Sequence, residues 1–211
     1  NYFSDGIIAV AEAAKDNLVK TGVSENKIKV ILNGADALKP LGFDEKQKQR
    51  RRFSVGNDCV ISIIARLEDI KGHEYFIEAA RLLLEKGVKA KFIIAGTGSY
   101  EEELKKIVAE KNLQNDVLFT GFIKDVDNLM GITDIQCNAS YGTEATSISL
   151  LEGMSLGIPA VVSDFGGNPG VIKHGENGFL FPKKDAESMA DAIYKIYSDS
   201  KLYEKMKKRA K

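Results

Sequence analysis

The chain has 211 residues, 44% of them hydrophobic and 28% charged, with 30 basic side chains balanced by 30 acidic ones. That is ordinary for a globular protein, and zero net charge advertises neither a nucleic acid nor a membrane surface as partner. No apolar run approaches the ~18 residues of a membrane span, and the two cysteines, Cys59 and Cys137, stand in apolar contexts without a CxxC or Cys/His cluster, which fits a reducing compartment and no sequence-evident metal.

The opening NYFSDGIIAV lacks an initiator methionine and a signal-peptide pattern. It enters a strand almost at once, so the chain is expected to be a piece of a longer protein. Residues 6–10 form a short apolar run. Residues 12–21 follow with helical spacing, and KIKVIL at 27–32 alternates as a half-buried strand does before Asn33-Gly34 stops it. This is one β-α-β unit, too small to bury a core alone. Residues 37–57 hold a proline and the charge-dense GFDEKQKQRRRF. They predict a linker and a polar helix, with Lys48 to Arg52 as a solvated face.

From Cys59 the pattern is regular. Strands are expected at 60–65, 91–96, 117–121, 134–140, 158–164 and 177–181. Helices are expected at 73–86, 99–112, 125–132 and 147–156, then over 185–211 with a break near Asp199-Ser200. Apolar strands alternating with amphipathic helices predict an α/β fold, a Rossmann-like doubly wound parallel sheet covered on both faces. In such sheets ligands bind at the carboxyl ends of the strands.

The first strand is not followed by the GxGxxG of a dinucleotide site. ARLEDIKG stands there instead, with Arg66 and Lys71 five residues apart. Two such cations can converge on a diphosphate, the arginine as a bidentate fork and the lysine as a point charge. The competing reading pairs them with Glu68 and Asp69. Gly96-Thr97-Gly98 leads into three glutamates, which suit a helix dipole and would repel phosphate, so it reads as a turn with a Ser99 cap. Asp125-Val126-Asp127 looks like a DxD metal signature but opens a short helix, where carboxylates complement the dipole. His73 and His174 read as structural residues.

The stretch 134–182 carries the rest of the chemistry. Glu144 lies in a loop after a strand, and Glu152 lies in or just after the first turn of the next helix. Ser149 to Glu152 is an S-x-x-E capping box, yet the helix is nearly all apolar and should be buried, so its carboxylate needs a partner. Ribose hydroxyls would supply one. The amides near Ser147 and Ser149 could take a phosphate, and Gly166-Gly167 would let backbone amides approach a ligand closely.

Taken in order, Asn33-Gly34-Ala35-Asp36, Arg66-Leu67 with Lys71-Gly72, Glu144 through Glu152-Gly153-Met154, the run Ile158 to Asp164, Gly166-Gly167 and Gly175-Glu176-Asn177-Gly178 resemble the retaining GT-B glycosyltransferases of family GT4. The resemblance covers nearly the whole chain. It implies that Arg66 and Lys71 hold the donor diphosphate and stabilise the leaving nucleoside diphosphate in place of a metal or cofactor. It also implies that Glu144 meets the donor sugar near the reacting carbon and that Glu152 binds the ribose. Thr146, Ser147 and Ile148 would touch phosphate or sugar through their amides, Ile123 would border the base, and Gly166 and Gly167 would complete the donor site. Retention of configuration is expected, by a same-face or a covalent route. Two positions depart from the family pattern: Ala145-Thr146-Ser147 replace a glycine and an aromatic, and Gly170 replaces a glutamate.

The implied layout is a remnant of an N-terminal acceptor domain at 1–36, a linker and polar helix at 37–57, a donor domain at 58–198 and the start of a closing helix at 199–211. The implied partners are a nucleotide-sugar donor and a glycan, lipid or small-molecule acceptor, without nucleic acid. The acceptor site and any peripheral membrane contact would belong to the missing domain. The enzyme would work in the cytoplasm, including its inner membrane face, and this piece alone would be inactive. Two other readings stay open: a nucleotide-sugar epimerase of the same fold, which needs a histidine in the cleft, and a non-catalytic sugar-nucleotide binding module.

Overall fold

A computed structural model describes residues 4–211 of the chain. The first unit is strand β1 (Ile7–Ala9), helix α1 (Glu12–Lys20) and strand β2 (Ile28–Val30), with β1 and β2 paired in parallel, Ile7 opposite Ile28. Ala9, Val23 and Ile28 form its small core, while Ile8, Ile31 and Leu32 stay exposed.

In helix α2 (Phe43–Arg52) Lys48, Arg51 and Arg52 are solvent-exposed as expected, but Gln49 and Arg50 are buried. The Arg50 guanidinium donates to the carbonyls of Gly56 at 2.7 Å and Asp58 at 2.5 Å. An arginine can bury its stem when carbonyls satisfy its head. Here it clamps the helix to the entrance of strand β3 (Cys59–Ile64).

Beyond β3 the chain alternates as expected: α3 (His73–Glu85), β4 (Ala90–Ala95), α4 (Glu101–Glu110), β5 (Val117–Gly121), α5 (Val126–Met130) and β6 (Ile135–Asn138). Then follow α6 (Ile148–Ser155), β7 (Ala160–Ser163), α7 (Asn168–Val171), β8 (Gly178–Phe181), α8 (Ala186–Ser198) and α9 (Ser200–Ala210). The break between the last two helices falls at Asp199, whose carboxylate accepts the amides of Lys201 and Leu202. Ser99 is not a cap: α4 begins after Tyr100, with no side-chain cap bond.

The six strands pair in parallel in the order β5-β4-β3-β6-β7-β8. Alternate residues face opposite layers, so Ile61, Ile63, Phe92 and Ile94 pack with α3 and α8, while Val60, Ile93 and Ala95 pack toward α5 with Leu129. The order runs outward from β3 to β5, returns to β6, and then runs outward again. The loops leaving β3 and β6 therefore diverge side by side, which opens a crevice at this switch point.

Helix α6 differs from its reading as a buried helix. Leu150 and Gly153 are buried, but Ile148 is 43% exposed. Its apolar composition serves a half-open face at the rim of the crevice.

Candidate active site at the switch point

The loop after β3 ends at Gly72, whose φ of +67° and closeness to β6 both demand glycine: a Cβ there would lie 2.3 Å from the Ala139 carbonyl oxygen. This seating carries Lys71 across to the loop after β6. Lys71 Nζ donates to Glu144 Oε2 at 3.0 Å and to the Thr143 carbonyl at 3.2 Å, and the two side chains are only 12% and 9% exposed. Glu144 Oε2 also accepts from Ser140 Oγ at 2.8 Å and Asn138 Nδ2 at 3.4 Å.

Glu144 is closed in from the other side by the turn after β7. The Gly167 amide donates to the Glu144 carbonyl at 3.0 Å. A Cβ on Gly166 would lie 2.0 Å from that same oxygen, and one on Gly167 only 1.5 Å from the Ala145 carbonyl oxygen. At Gly167 this differs from the expected use of the pair. The pair admits the turn against the Glu144 backbone, and the Gly167 amide is spent there rather than on a ligand.

Arg66 does not join Lys71. It is 72% exposed and pairs with Glu68 at 2.8 Å, as the competing reading of this loop had it. Asp69 instead accepts from the Tyr141 hydroxyl at 2.5 Å. Arg66 edges a cavity of about 190 Å³ between the ends of β3, β4 and β5, lined by Ile64, Ala95, Thr97, Ile123 and Val126. Ile123 lines this cavity, with Phe122 beside it 77% exposed. Gly96 and Gly98 press on the β3 loop, where Cβ atoms would meet the Ala65 and Leu67 carbonyls at 2.0 and 2.2 Å, so this GxG is packing and no phosphate cradle. Asp127 of the DxD pattern accepts the Asn128 amide.

The amino end of α6 faces the same crevice. The cap is Ser147, whose Oγ accepts from the Leu150 amide at 3.3 Å. The expected capping box does not form, because Ser149 Oγ donates to the Ile64 carbonyl at 3.0 Å and ties α6 to β3. Among the described residues, the amides of Ile148 and Ser149 meet no acceptor. Glu152 is freed from capping. Partial burial alone pushes its carboxyl above the ordinary range, with no cation to offset it. The Thr146 hydroxyl donates to the Val10 carbonyl at 3.2 Å, which brings the first unit to the edge of the site.

His73 is fully buried at the start of α3, and burial, helped by Lys71, lowers its imidazole to about 4. His174 accepts from the Leu180 amide at 3.1 Å through Nδ1. Neither offers the open cleft imidazole that an epimerase would need. Burial pushes the Cys59 thiol up to about 12 and holds Cys137 higher still, so both are inert core thiols.

The residues beneath Glu144 escaped the sequence reading. Asn138, Ser140, Ser163 and Asn168 are all buried. The signal was available: Gln136, Asn138 and Ser140 alternate as polar residues in a strand otherwise built for the core. Gln136 explains itself by donating to the Leu150 and Ile158 carbonyls, with Gly153 leaving room for its amide.

Residues 44–211 match the model of a protein family described as glycosyl transferases group 1. The chain is 32% identical over 205 residues to the uncharacterized glycosyltransferase MJ1607 of Methanocaldococcus jannaschii, covering 94% of this chain and 52% of that protein. It is 30% identical over 185 residues to the Escherichia coli UDP-Gal:alpha-D-GlcNAc-diphosphoundecaprenol alpha-1,3-galactosyltransferase, covering 85% of this chain and 48% of that one. Its fold superposes with a TM-score of 0.94 on Anabaena Alr3699/HepE, crystallised with UDP and glucose, at 26% identity over all of this chain and 58% of that one. The chain thus spans about half the length of the relatives it matches and has the fold of one half of them.

Proposed function

The chain belongs to the glycosyl transferases group 1 family, and from that premise we propose that it is the donor-binding half of a retaining glycosyltransferase, moving a sugar from a nucleoside diphosphate to a glycan, lipid or small-molecule acceptor. The observation that carries this reading is the buried Lys71–Glu144 pair at the switch point, flanked by unpaired helix amides and an apolar cavity.

In this reading the base lies in the cavity against Ile123, and the ribose hydroxyls donate to Glu152, whose half-buried carboxylate has no other partner among the described residues. The diphosphate lies between the α6 amides and the two cations. Departure of the nucleoside diphosphate builds negative charge on its terminal phosphate. Lys71 meets that charge, Arg66 exchanges Glu68 for the phosphate to join it, and no metal or other cofactor is called for. Glu144 accepts a hydroxyl of the donor sugar and holds its reacting carbon in place. UDP is the favoured donor nucleotide, because the Anabaena neighbour was crystallised with it and the Escherichia coli relative is named for UDP-Gal.

Residues 1–36 would be the last unit of an acceptor domain, joined by 37–57 to the donor domain at 58–198, with 199–211 opening a closing helix. The acceptor, and the inner membrane face when that acceptor is a lipid, would be met by the partner domain. The 211-residue piece would bind nucleotide without transferring sugar. Titration calorimetry with UDP, GDP and uridine tests this: micromolar UDP binding with weaker uridine binding is expected. No binding of either diphosphate at millimolar concentration overturns the reading.

A further inference from the structure

Glu144 rests on a chain of buried polar groups whose direction is forced by the backbone. The Ser140 amide can only donate, and it meets Asn138 Oδ1 at 3.0 Å. The other end of that side-chain amide, Asn138 Nδ2, is therefore the group facing Glu144 Oε2 at 3.4 Å. The Ser163 carbonyl can only accept, and it meets Asn168 Nδ2 at 3.1 Å. The same nitrogen reaches Asn138 Oδ1 at 3.4 Å and Ser163 Oγ at 3.2 Å. Ser163 Oγ in turn donates to the Ser140 carbonyl at 2.6 Å, and Ser140 Oγ donates to Glu144 Oε2 at 2.8 Å.

Every donor thus finds an acceptor along a path from α7 through β7 and β6 to one carboxylate oxygen. The exposures of Asn138, Ser140, Ser163 and Asn168 are 7%, 1%, 0% and 1%. Polar groups this deep are costly unless satisfied, and the donors here are, while Asn168 Oδ1 is buried without a partner among the described residues. All three donors to the carboxylate, from Lys71, Ser140 and Asn138, converge on Oε2. Glu144 Oε1 receives none of these bonds.

We infer that Asn138, Ser140, Ser163 and Asn168 are positioning residues that pin Glu144 by Oε2 and present Oε1 to a hydroxyl of the donor sugar. This rests on the glycosyl-transfer reading above. It adds to that reading that the aim of Glu144 is set by β6, β7 and α7, and that the nucleotide half of the site does not depend on it. Asn138 is the pivot, because its amide is the one group that receives from α7 and gives to Glu144. An aspartate there keeps the shape and the bond from the Ser140 amide but turns the donor toward Glu144 into a second carboxylate oxygen.

The test uses the full-length protein containing this chain, with UDP, UDP-glucose, UDP-galactose and UDP-N-acetylglucosamine as probes. UDP affinity is read by calorimetry, and release of UDP from each sugar nucleotide in water is read as kcat. Asn138→Asp and Ser140→Ala are expected to lower kcat by about 30-fold or more, Asn168→Asp by about 10-fold and Ser163→Ala by about 3-fold, with UDP affinity kept within about 2-fold. Losses of kcat matched by equal losses of UDP affinity would show a merely structural network, and an unchanged kcat in Asn138→Asp and Ser140→Ala would show none at all; either overturns the inference. Should Asn138→Asp fail to fold, Ser140→Ala, which removes a single oxygen, decides alone. Wild-type protein that neither binds UDP nor releases it from any of the three donors overturns the glycosyl-transfer reading itself, and the inference with it.

Discussion

The loop between β3 and α3 holds two cations that live in different regimes. Arg66 is 72% exposed, with Glu68 as its partner, whereas Lys71 is 12% exposed and locked to Glu144 and the Thr143 carbonyl. An exposed pair is worth about 0–1 kcal/mol and can be exchanged for a ligand at little cost. A buried pair loses far more when one member is removed, because the other is left charged and unsolvated. The contrast teaches that one cation is built into the fold and the other waits on its surface. In the proposed function both would meet the same diphosphate.

The largest test removes the built-in cation. Lys71→Ala should destabilise the protein by about 3 kcal/mol in urea unfolding, whereas Arg66→Ala should cost less than about 0.5 kcal/mol. Similar losses for both would break the contrast.

The buried side also carries a pH liability. His73 follows Gly72 directly and has its imidazole lowered to about 4, from an ordinary 6.5, by burial first and Lys71 second. A depressed imidazole protonates in the unfolded chain before the folded one. Its contribution to stability is therefore intact above 6.5 and falls as the pH drops toward 4. Between pH 7 and pH 5 the loss should be about 2 kcal/mol. Unfolding of wild type and His73→Gln at both pH values checks this, since the variant should lose less by roughly that amount. An identical pH dependence in the two proteins would contradict the assignment.

Smaller again is the effect of the surface cation. Arg66→Ala should weaken UDP binding about 10-fold and leave uridine binding unchanged, because it acts on phosphate alone. Equal losses for both ligands would move Arg66 away from the diphosphate. Smallest is Glu152→Gln, expected to weaken UDP about 3-fold with 2′-deoxy-UDP affected less, because a carboxylate accepts more strongly from ribose hydroxyls than an amide does. A uniform loss would take Glu152 off the ribose.

Much of this was legible in the chain. The β/α alternation, the break at Asp199 and the parallel sheet follow from apolar strands spaced by amphipathic helices. Lys71 and Glu144, 73 positions apart, could be expected to meet only because both loops leave the carboxyl ends of adjacent parallel strands at a switch point. Two helices misled in opposite directions. The polar α2 buries Arg50, because two backbone carbonyls accept from its guanidinium, and the apolar α6 leaves Ile148 open at the crevice rim. Composition reports how greasy a helix is, but not what covers it. The capping box failed for a related reason: Ser149 found a better acceptor on β3 than the local amides could offer. The support beneath Glu144 stayed hidden because its members come from β6, β7 and α7 and converge only in three dimensions.

The strand order has one more consequence. The apolar cavity is built by the exits of β3, β4 and β5, while Glu144 is anchored by β6, β7 and α7, with Lys71 reaching it across from the β3 loop. These are the two halves of the sheet, on either side of the β3–β6 seam. In the proposed reading the two ends of the donor would fall on opposite sides of that seam, bridged by Lys71. Exchanging Phe122 and Ile123 for a relative's loop should retune which nucleotide is taken while the sugar end keeps its aim, so that base and sugar preferences can evolve, or be engineered, one at a time.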